Sequence, residues 1–221
     1  MKRLVVAFAG LVAMASAVAA ADLSPRYQAP YAKAAPVYAP GFSWAGFYLG
    51  INGGGGWGRS EWTGVDKFNI SGGMIGGTVG YNWQINQFVL GAEGDIDWSG
   101  ISGQTNAFCP PGCQTRNHWL STVRGRLGYA FDRILPYFTA GLAVGDINAT
   151  LPAFPGGSVT SAGWTVGAGI EYAVVGNVSV KAEYLFVSLG DFNCGLNCGL
   201  AGNGNVSFYS NIGRLGLNVH F

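Results

Sequence analysis

The sequence predicts an all-β fold, an eight-stranded antiparallel transmembrane β-barrel with short periplasmic turns and four long extracellular loops. Three observations support this prediction. Apolar and polar residues alternate with a period of two, long and short connections alternate along the chain, and 10% of the residues are charged whereas 14% are aromatic. A soluble domain usually carries about 25% charged residues. The 37 glycines also disfavour long helices, because each glycine in a helix costs about 1 kcal/mol relative to alanine.

The two-residue period defines eight strand-like segments in the region 43–221. In each segment one face is apolar and often aromatic, whereas the other face holds glycine, threonine, asparagine and most of the charges. In chain order the segments cover 47–54, 75–84, 88–98, 119–129, 137–144, 164–172, 178–186 and 209–221. Bacterial single-chain membrane barrels have an even number of strands, so eight segments fit this class.

The connections between the segments give independent support. Three of them are short, at 85–87, 131–134 and 173–177. The other four are long, at 58–70, 99–117, 146–161 and 188–206. Strict alternation of short and long connections is typical of outer-membrane barrels, whose turns face the periplasm and whose loops face the outside.

The chemistry of the two faces predicts which one points inward. An eight-stranded barrel has an interior that side chains only just fill, which suits glycine and threonine better than tryptophan. We therefore expect the aromatic face to contact lipid and the charged face to line the interior, where the charges must pair because an unpaired buried charge is very costly. The interior charges are Glu93, Asp95, Asp97, Arg124, Arg126, Glu171, Lys181, Glu183 and Arg214.

Two alternatives to a purely structural barrel remain open at this point. The interior charges could line a narrow, porin-like path for small solutes, although eight strands do not make a wide aqueous channel. A soluble, lipocalin-like ligand-binding barrel would also alternate, but it would require the aromatic face to point inward.

The N-terminal residues predict export. Lys2 and Arg3 precede a short apolar run and several small residues, which is typical of a signal peptide spanning 1–20 with cleavage near 20/21. Residues 21–42 are rich in proline and tyrosine and predict an extended periplasmic linker, long enough to span about 60 Å. This linker could be a tether or an untethered tail.

The four cysteines form two pairs with three intervening residues, Cys109/Cys113 and Cys194/Cys198, both in predicted extracellular loops. Because export passes through an oxidising compartment, we expect disulfides. Three connectivities are possible, and we favour two local bridges over cross-loop pairing. A zinc site made by four thiolates is a weaker alternative, and we expect no metal and no cofactor.

Nothing in the pattern predicts an enzyme or a nucleic-acid partner. The formal net charge is +1, which gives no basic surface for nucleic acid. The two histidines, His118 and His220, fall at opposite ends of the predicted barrel, so they cannot share a site. We expect His118 at the extracellular rim, near Asp95 or Asp97, and assign no catalytic residue.

Several segments in order resemble one family. The segments are 44–54, which begins Trp-Ala-Gly-Phe-Tyr, 77–84, 124–129, 163–172 and 181–184. Together they resemble the small surface barrels known as outer-membrane immunogenic or porin-family proteins, whose barrel is similar to the transmembrane domain of OmpA. The resemblance covers essentially all of 43–221.

The resemblance implies a Gram-negative outer membrane and a structural or surface role in the cell envelope, without catalysis. The implied partners are outer-membrane lipid, the barrel-assembly machinery and peptidoglycan, which is joined to the mature N-terminus of some relatives. Ala21 and Asp22, the first residues of the linker, are compatible with such a link. A ligand of the extracellular loops is not identified. The alternating apolar residues that resemble the assembly signal are Leu215, Leu217, Val219 and Phe221.

Overall fold

The computed structural model describes residues 42–62, 66–105, 112–150, 157–193 and 205–221. The predicted signal peptide, the linker up to residue 41 and Cys109, Cys194 and Cys198 lie outside these ranges. Cys113 is described only as a backbone position of a strand. The signal peptide, the linker and the disulfide pairing therefore stay predictions.

The described residues form ten antiparallel β-strands, eight long and two short. In chain order they are β1 (Gly46–Trp62), β2 (Asp66–Ile85), β3 (Phe88–Ser99), β4 (Ser102–Thr105), β5 (Cys113–Arg116), β6 (Trp119–Tyr129), β7 (Ile134–Thr150), β8 (Gly157–Val175), β9 (Val178–Asn193) and β10 (Asn205–His220). Each predicted segment lies within one of the eight long strands, except that the last segment extends one residue beyond β10, to Phe221.

The sheet closes on itself, because β1 pairs with β2 on one side and with β10 on the other. The remaining long strands pair with their neighbours in sequence, with β3 against β6 and β6 against β7. The short strands β4 and β5 extend β3 and β6 past two bends, at 100–101 and 117–118, and continue the wall between β2 and β7. The predicted fold class, a closed eight-stranded antiparallel barrel, is confirmed.

The strands are longer than their side-chain pattern indicates. Strands cover the predicted loop 58–70 except 63–65, the loop 146–161 except 151–156 and the loop 188–206 except 194–204, and the loop 99–117 contains β4 and β5. These extensions are rich in glycine, serine and asparagine, which look like loop residues, yet the backbone ladder needs no apolar side chain to form. At the other end of the barrel the turns are short, as predicted.

The aromatic face of the strands points outward. Trp83, Trp98 and Trp164 are 52%, 69% and 50% exposed, although all three belong to strands that are paired on both sides. Other outward rings contact each other across strands near the short turns, with centroids of Phe47 and Tyr81 4.6 Å apart. Such exposure suits a barrel whose outer wall contacts lipid and whose aromatic rings lie at its two interfaces. Among the described residues, no helix is long and apolar enough to cross a membrane.

The interior is filled in three layers. The charged residues occupy the middle layer. Toward the loop end lies an apolar cluster that the sequence analysis missed, composed of Phe68, Ile70, Met74, Ile101, Leu120, Ala143, Ile147, Leu185, Val187, Leu189, Phe208 and Ile212. The expectation that small and polar residues fill the interior is therefore wrong for this half of the barrel.

A second apolar cluster closes the end with the short turns. Trp44 is fully buried there against Val89, Leu135 and the neighbouring residues of the turns. Its indole Nε1 donates a hydrogen bond to the carbonyl oxygen of Asp132 at 3.0 Å. Gly46 then redirects the chain into β1 with φ +122°, and a Cβ there would lie 2.4 Å from the carbonyl oxygen of Phe221. The segment before β1 is thus packed under the barrel.

Candidate functional site

The middle layer of the interior brings all nine predicted interior charges together. All nine residues are buried, with exposed fractions of 4% or less. They come from β3, β6, β8, β9 and β10, because the inward-facing positions of these strands carry the charges. Several pairs stand directly opposite each other across two strands, for example Glu93 with Arg124 and Glu183 with Arg214.

Arg124 lies at the centre of this network. Its Nη2 donates to Glu93 Oε1 and, at 2.6 Å, to Asp95 Oδ2. Its Nη1 donates to Glu183 Oε1 at 3.0 Å. One guanidinium therefore joins carboxylates from β3 and β9, which lie on different sides of the barrel.

Arg214 forms the second hub, nearer the loop end. Its Nε donates to Glu183 Oε2 at 2.7 Å, and its Nη2 donates to Asp95 Oδ2 at 3.0 Å. Its Nη1 reaches Asp97 Oδ2, also at 3.0 Å. Because the planar guanidinium offers five donors, it can bridge three carboxylates at once, which a lysine could not do in the same geometry.

Two tyrosine hydroxyls and a lysine donate further hydrogen bonds to the carboxylates of this network. Lys181 Nζ and the hydroxyl of Tyr48 both donate to Glu93 Oε2, each at 2.8 Å. The hydroxyl of Tyr137 donates to Glu183 Oε1 at 3.0 Å. Both tyrosines lie at inward-facing positions of the two-residue pattern, but the predicted interior network included only the charged side chains.

Arg126 and Glu171 form the lower part of this middle layer, toward the short turns. Arg126 Nη2 donates to Glu171 Oε2, and its guanidinium carbon lies 3.8 Å from the ring centroid of Tyr137. Glu171 Oε1 accepts from Ser179 Oγ at 2.5 Å and from Asn218 Nδ2 at 2.7 Å. This carboxylate therefore has donors on both oxygens.

A serine, a histidine and a carboxylate also lie close together in this lower part of the middle layer. His220 Nε2 lies 3.0 Å from Ser179 Oγ and 3.3 Å from Glu171 Oε1. In a catalytic triad the acid and the nucleophile contact different imidazole nitrogens. Here both contact Nε2, whereas Nδ1 has no hydrogen-bond partner among the described residues. Ser179 is also fully buried, so the cluster lacks the geometry of a catalytic triad, and its hydrogen bonds join β8, β9 and β10 near the short turns.

The ion pairs hold the barrel together from inside. The network contains five carboxylates and four cations. His220 lies next to one of these carboxylates, that of Glu171. Breaking a buried ion pair by removing one partner typically costs about 3–5 kcal/mol, because the remaining charge is left without compensation. Within the described ranges no cluster of three or more histidine, cysteine or acidic residues could hold a metal ion.

His118 and His220 lie at opposite ends of the barrel, as predicted. The partner of His118 is Asp146 of β7 rather than Asp95 or Asp97, with Nδ1 and Oδ2 2.9 Å apart. Asp146 Oδ1 also accepts hydrogen bonds from the backbone nitrogens of His118 and Trp119, at 2.8 and 2.9 Å. Its carboxylate fixes the bend between β5 and β6, which is a structural role.

The four residues that resemble the assembly signal share the outward face of β10 and its end. Their exposed fractions are 69% for Leu215, 49% for Leu217, 38% for Val219 and 74% for Phe221. The alternation predicted for this segment is therefore present. Recognition by the assembly machinery stays a prediction.

The closed strand ring, the apolar outer wall and the paired charges inside define a transmembrane β-barrel. The family model described as "Outer membrane protein beta-barrel domain" matches residues 6–221. The chain belongs to this family, and it is an outer-membrane protein.

The chain is similar to outer-membrane proteins of several bacteria. The 31 kDa outer-membrane immunogenic protein of Brucella melitensis is 38% identical over 218 residues, which cover 87% of this chain and 89% of that protein. The 22 kDa outer membrane protein of Rhizobium leguminosarum is 36% identical over 192 residues, covering 86% and 83%. Among solved structures, Neisserial surface protein A aligns with a TM-score of 0.49 and 21% identity, covering 80% of this chain and 98% of that one. The curated relatives are named as outer-membrane proteins and not by an enzymatic activity.

Proposed function

We propose that the protein is a non-enzymatic structural barrel that contributes to the integrity of the outer membrane and is tethered to peptidoglycan through its N-terminal residues. One observation carries the structural part of this proposal. The buried ion-pair network lies between two apolar clusters, one at each end of the interior. A core of this kind favours a rigid, filled barrel over an open path.

The same observation weighs against the channel alternative. At the short-turn end, Trp44 and Leu135 are fully buried, and at the loop end so are Leu185 and Leu189. A solute would have to displace both clusters and then break ion pairs between them. We expect no conductance steps when the full chain is reconstituted in planar bilayers, and reproducible steps would overturn the filled-barrel proposal.

The tether rests on the position where the linker meets the barrel. The described chain enters at the short-turn end, which faces the periplasm in this class of protein. There the backbone nitrogen of Trp44 donates to Gln84 Oε1 at 2.7 Å, in addition to the indole hydrogen bond. A chain held this firmly could transmit tension from a cell-wall attachment to the barrel.

A complementation experiment tests both parts. In a strain lacking the gene, we expect greater detergent sensitivity and vesicle release, both restored by the full chain. A variant without residues 22–41 should still assemble, as judged by its heat-modifiable migration, but restore these properties only in part. An unchanged deletion strain would refute the integrity role, whereas full restoration by the shortened chain would refute only the tether.

The covalent link has its own direct test. Purified cell walls digested with a muramidase should release a peptidoglycan fragment joined to the N-terminal residues of the mature chain, detected by mass spectrometry. Absence of this species from walls that yield a known attached protein would contradict the tether.

A further inference from the structure

The outer wall carries a polar cleft at the loop end of β10, β1 and β2. Its volume is about 600 Å³, and its lining includes Trp57, Arg59, Asn69, Ser71 and Tyr209. The strand register arranges these side chains in two rows. Arg59 stands between Asn69 and Tyr209, and one row closer to the membrane Trp57 stands between Ser71 and Asn211.

The cleft lies at the level of the lipid headgroups. Trp57 is 52% exposed on the outer face, where tryptophan marks the boundary between hydrocarbon and headgroups. Arg59 follows it on the same face, two residues farther from the membrane. Since a strand rises by about 3.3 Å per residue, the guanidinium can reach phosphates just outside the hydrocarbon.

The guanidinium of Arg59 forms no ion pair with another described residue. Among the described residues, Arg59 has no carboxylate within ion-pair distance, and the side chains of Asn69 and Ser71 and the hydroxyl of Tyr209 have no hydrogen-bond partner. This contrasts with Asn211, whose amide donates to the Trp57 carbonyl and accepts from Tyr184. The carboxylate in the lining, Glu61, lies two residues beyond Arg59 in β1 and has an interaction of its own.

We propose that this cleft binds the phosphate-bearing headgroup of a lipid in the outer leaflet whose headgroup carries a net negative charge. Arginine is suited to phosphate because its planar fork can donate two parallel hydrogen bonds to the oxygens. Asn69, Ser71 and Tyr209 place neutral donors on either side of the guanidinium, and Trp57 supplies an amphipathic ring at the acyl boundary. The partner is thus a lipid with a negative headgroup, held where the protein meets the outer leaflet.

A titration of the full chain in dodecyl maltoside micelles tests this proposal. The probe is a bisphosphorylated glucosamine-disaccharide lipid, with phosphatidylcholine and inorganic phosphate as comparison ligands, and binding is measured by native mass spectrometry and thermophoresis. We expect Arg59→Gln to weaken binding of the probe about tenfold or more, since the change removes hydrogen bonds between two charged groups. Tyr209→Phe, which removes only the hydroxyl, should weaken it by about two- to fivefold.

Arg133→Gln is the matched control. Arg133 is an exposed arginine at the opposite end of the barrel, with one hydrogen bond to the carbonyl of Val174. Heat-modifiable migration establishes that each variant is folded. Equal losses for Arg59→Gln and Arg133→Gln, no loss for either, or equally tight binding of phosphatidylcholine would overturn the proposal. Inorganic phosphate binding as tightly as the probe would mean a free-anion site and would also overturn it.

Discussion

Replacing Arg124 by methionine removes the hub of the interior network while keeping an unbranched side chain. The guanidinium contacts Glu93, Asp95 and Glu183, and its side chain is fully buried. After the change, five carboxylates would face three cations. We expect the free energy of unfolding to fall by about 3–5 kcal/mol, because buried carboxylates are left without their partner. This corresponds to an unfolding constant larger by about a hundredfold to a few thousandfold.

The assay is urea unfolding of the barrel in phosphatidylcholine vesicles, followed by tryptophan fluorescence and by migration of unboiled samples on gels. Arg133→Met is the matched control, because this exposed arginine lies in a short turn outside the network. Its effect should stay within about 0.5 kcal/mol, as for most surface substitutions. The two variants differ only in where the lost charge was located.

A double-mutant cycle isolates one contact of the hub. Arg124 Nη1 and Glu183 Oε1 are 3.0 Å apart, so Arg124→Met and Glu183→Gln should be coupled by about 0.5–3 kcal/mol. The reasoning is refuted if the free energy of unfolding of Arg124→Met lies within about 1 kcal/mol of that of the unmodified chain. It is also refuted if Arg133→Met is equally destabilising.

Three further changes test the packing around the network. Gly141→Ala should destabilise the barrel by about 1–3 kcal/mol in the same urea assay, because its Cβ would lie 2.1 Å from a backbone oxygen, whereas Gly125→Ala should be neutral, since its Cβ meets nothing closer than 3.8 Å. Trp44→Ala should cost about 3–5 kcal/mol and speed hydrogen exchange at the short-turn end, whereas the lipid-facing Trp83→Ala should cost less and leave exchange there unchanged. Asp146→Ala should expose the bend between β5 and β6 to protease within intact vesicles, because two backbone nitrogens lose their acceptor. Equal destabilisation by Gly141→Ala and Gly125→Ala, or by Trp44→Ala and Trp83→Ala, would contradict the packing described for that pair. Unaltered cleavage of Asp146→Ala at the bend would contradict the role of its carboxylate.

The strand alternation was predictable because lipid and interior impose opposite chemistry on successive residues. Trp83 and Trp164 lie outside and Glu93 and Arg124 inside, as their parity requires. The pairing of specific charges was not predictable, since Lys181 bonds to Glu93 across the barrel rather than to Glu171, its neighbour in the strand register. Such contacts depend on the barrel diameter and on the length of the side chains.

The apolar cluster at the loop end left a signal that alternation alone does not capture. Over 184–189 apolar residues occupy both parities, and Leu185, Val187 and Leu189 are fully buried inside. A strand that is apolar on both faces predicts burial on one face and lipid on the other. The closure at the opposite end left less signal, because Trp44 resembles a strand residue until Gly46 is known to redirect the chain.

The central claim is that the aromatic face contacts lipid and the charged face fills the interior. Variants with a single tryptophan, reconstituted in vesicles with brominated lipids, test it most directly. We predict strong quenching of fluorescence from Trp83 and Trp164, which are about half exposed on the outer wall, and little quenching from Trp44, which is fully buried under the barrel. Quenching of Trp44 as strong as that of Trp83, or no quenching of Trp83 and Trp164, would contradict the account.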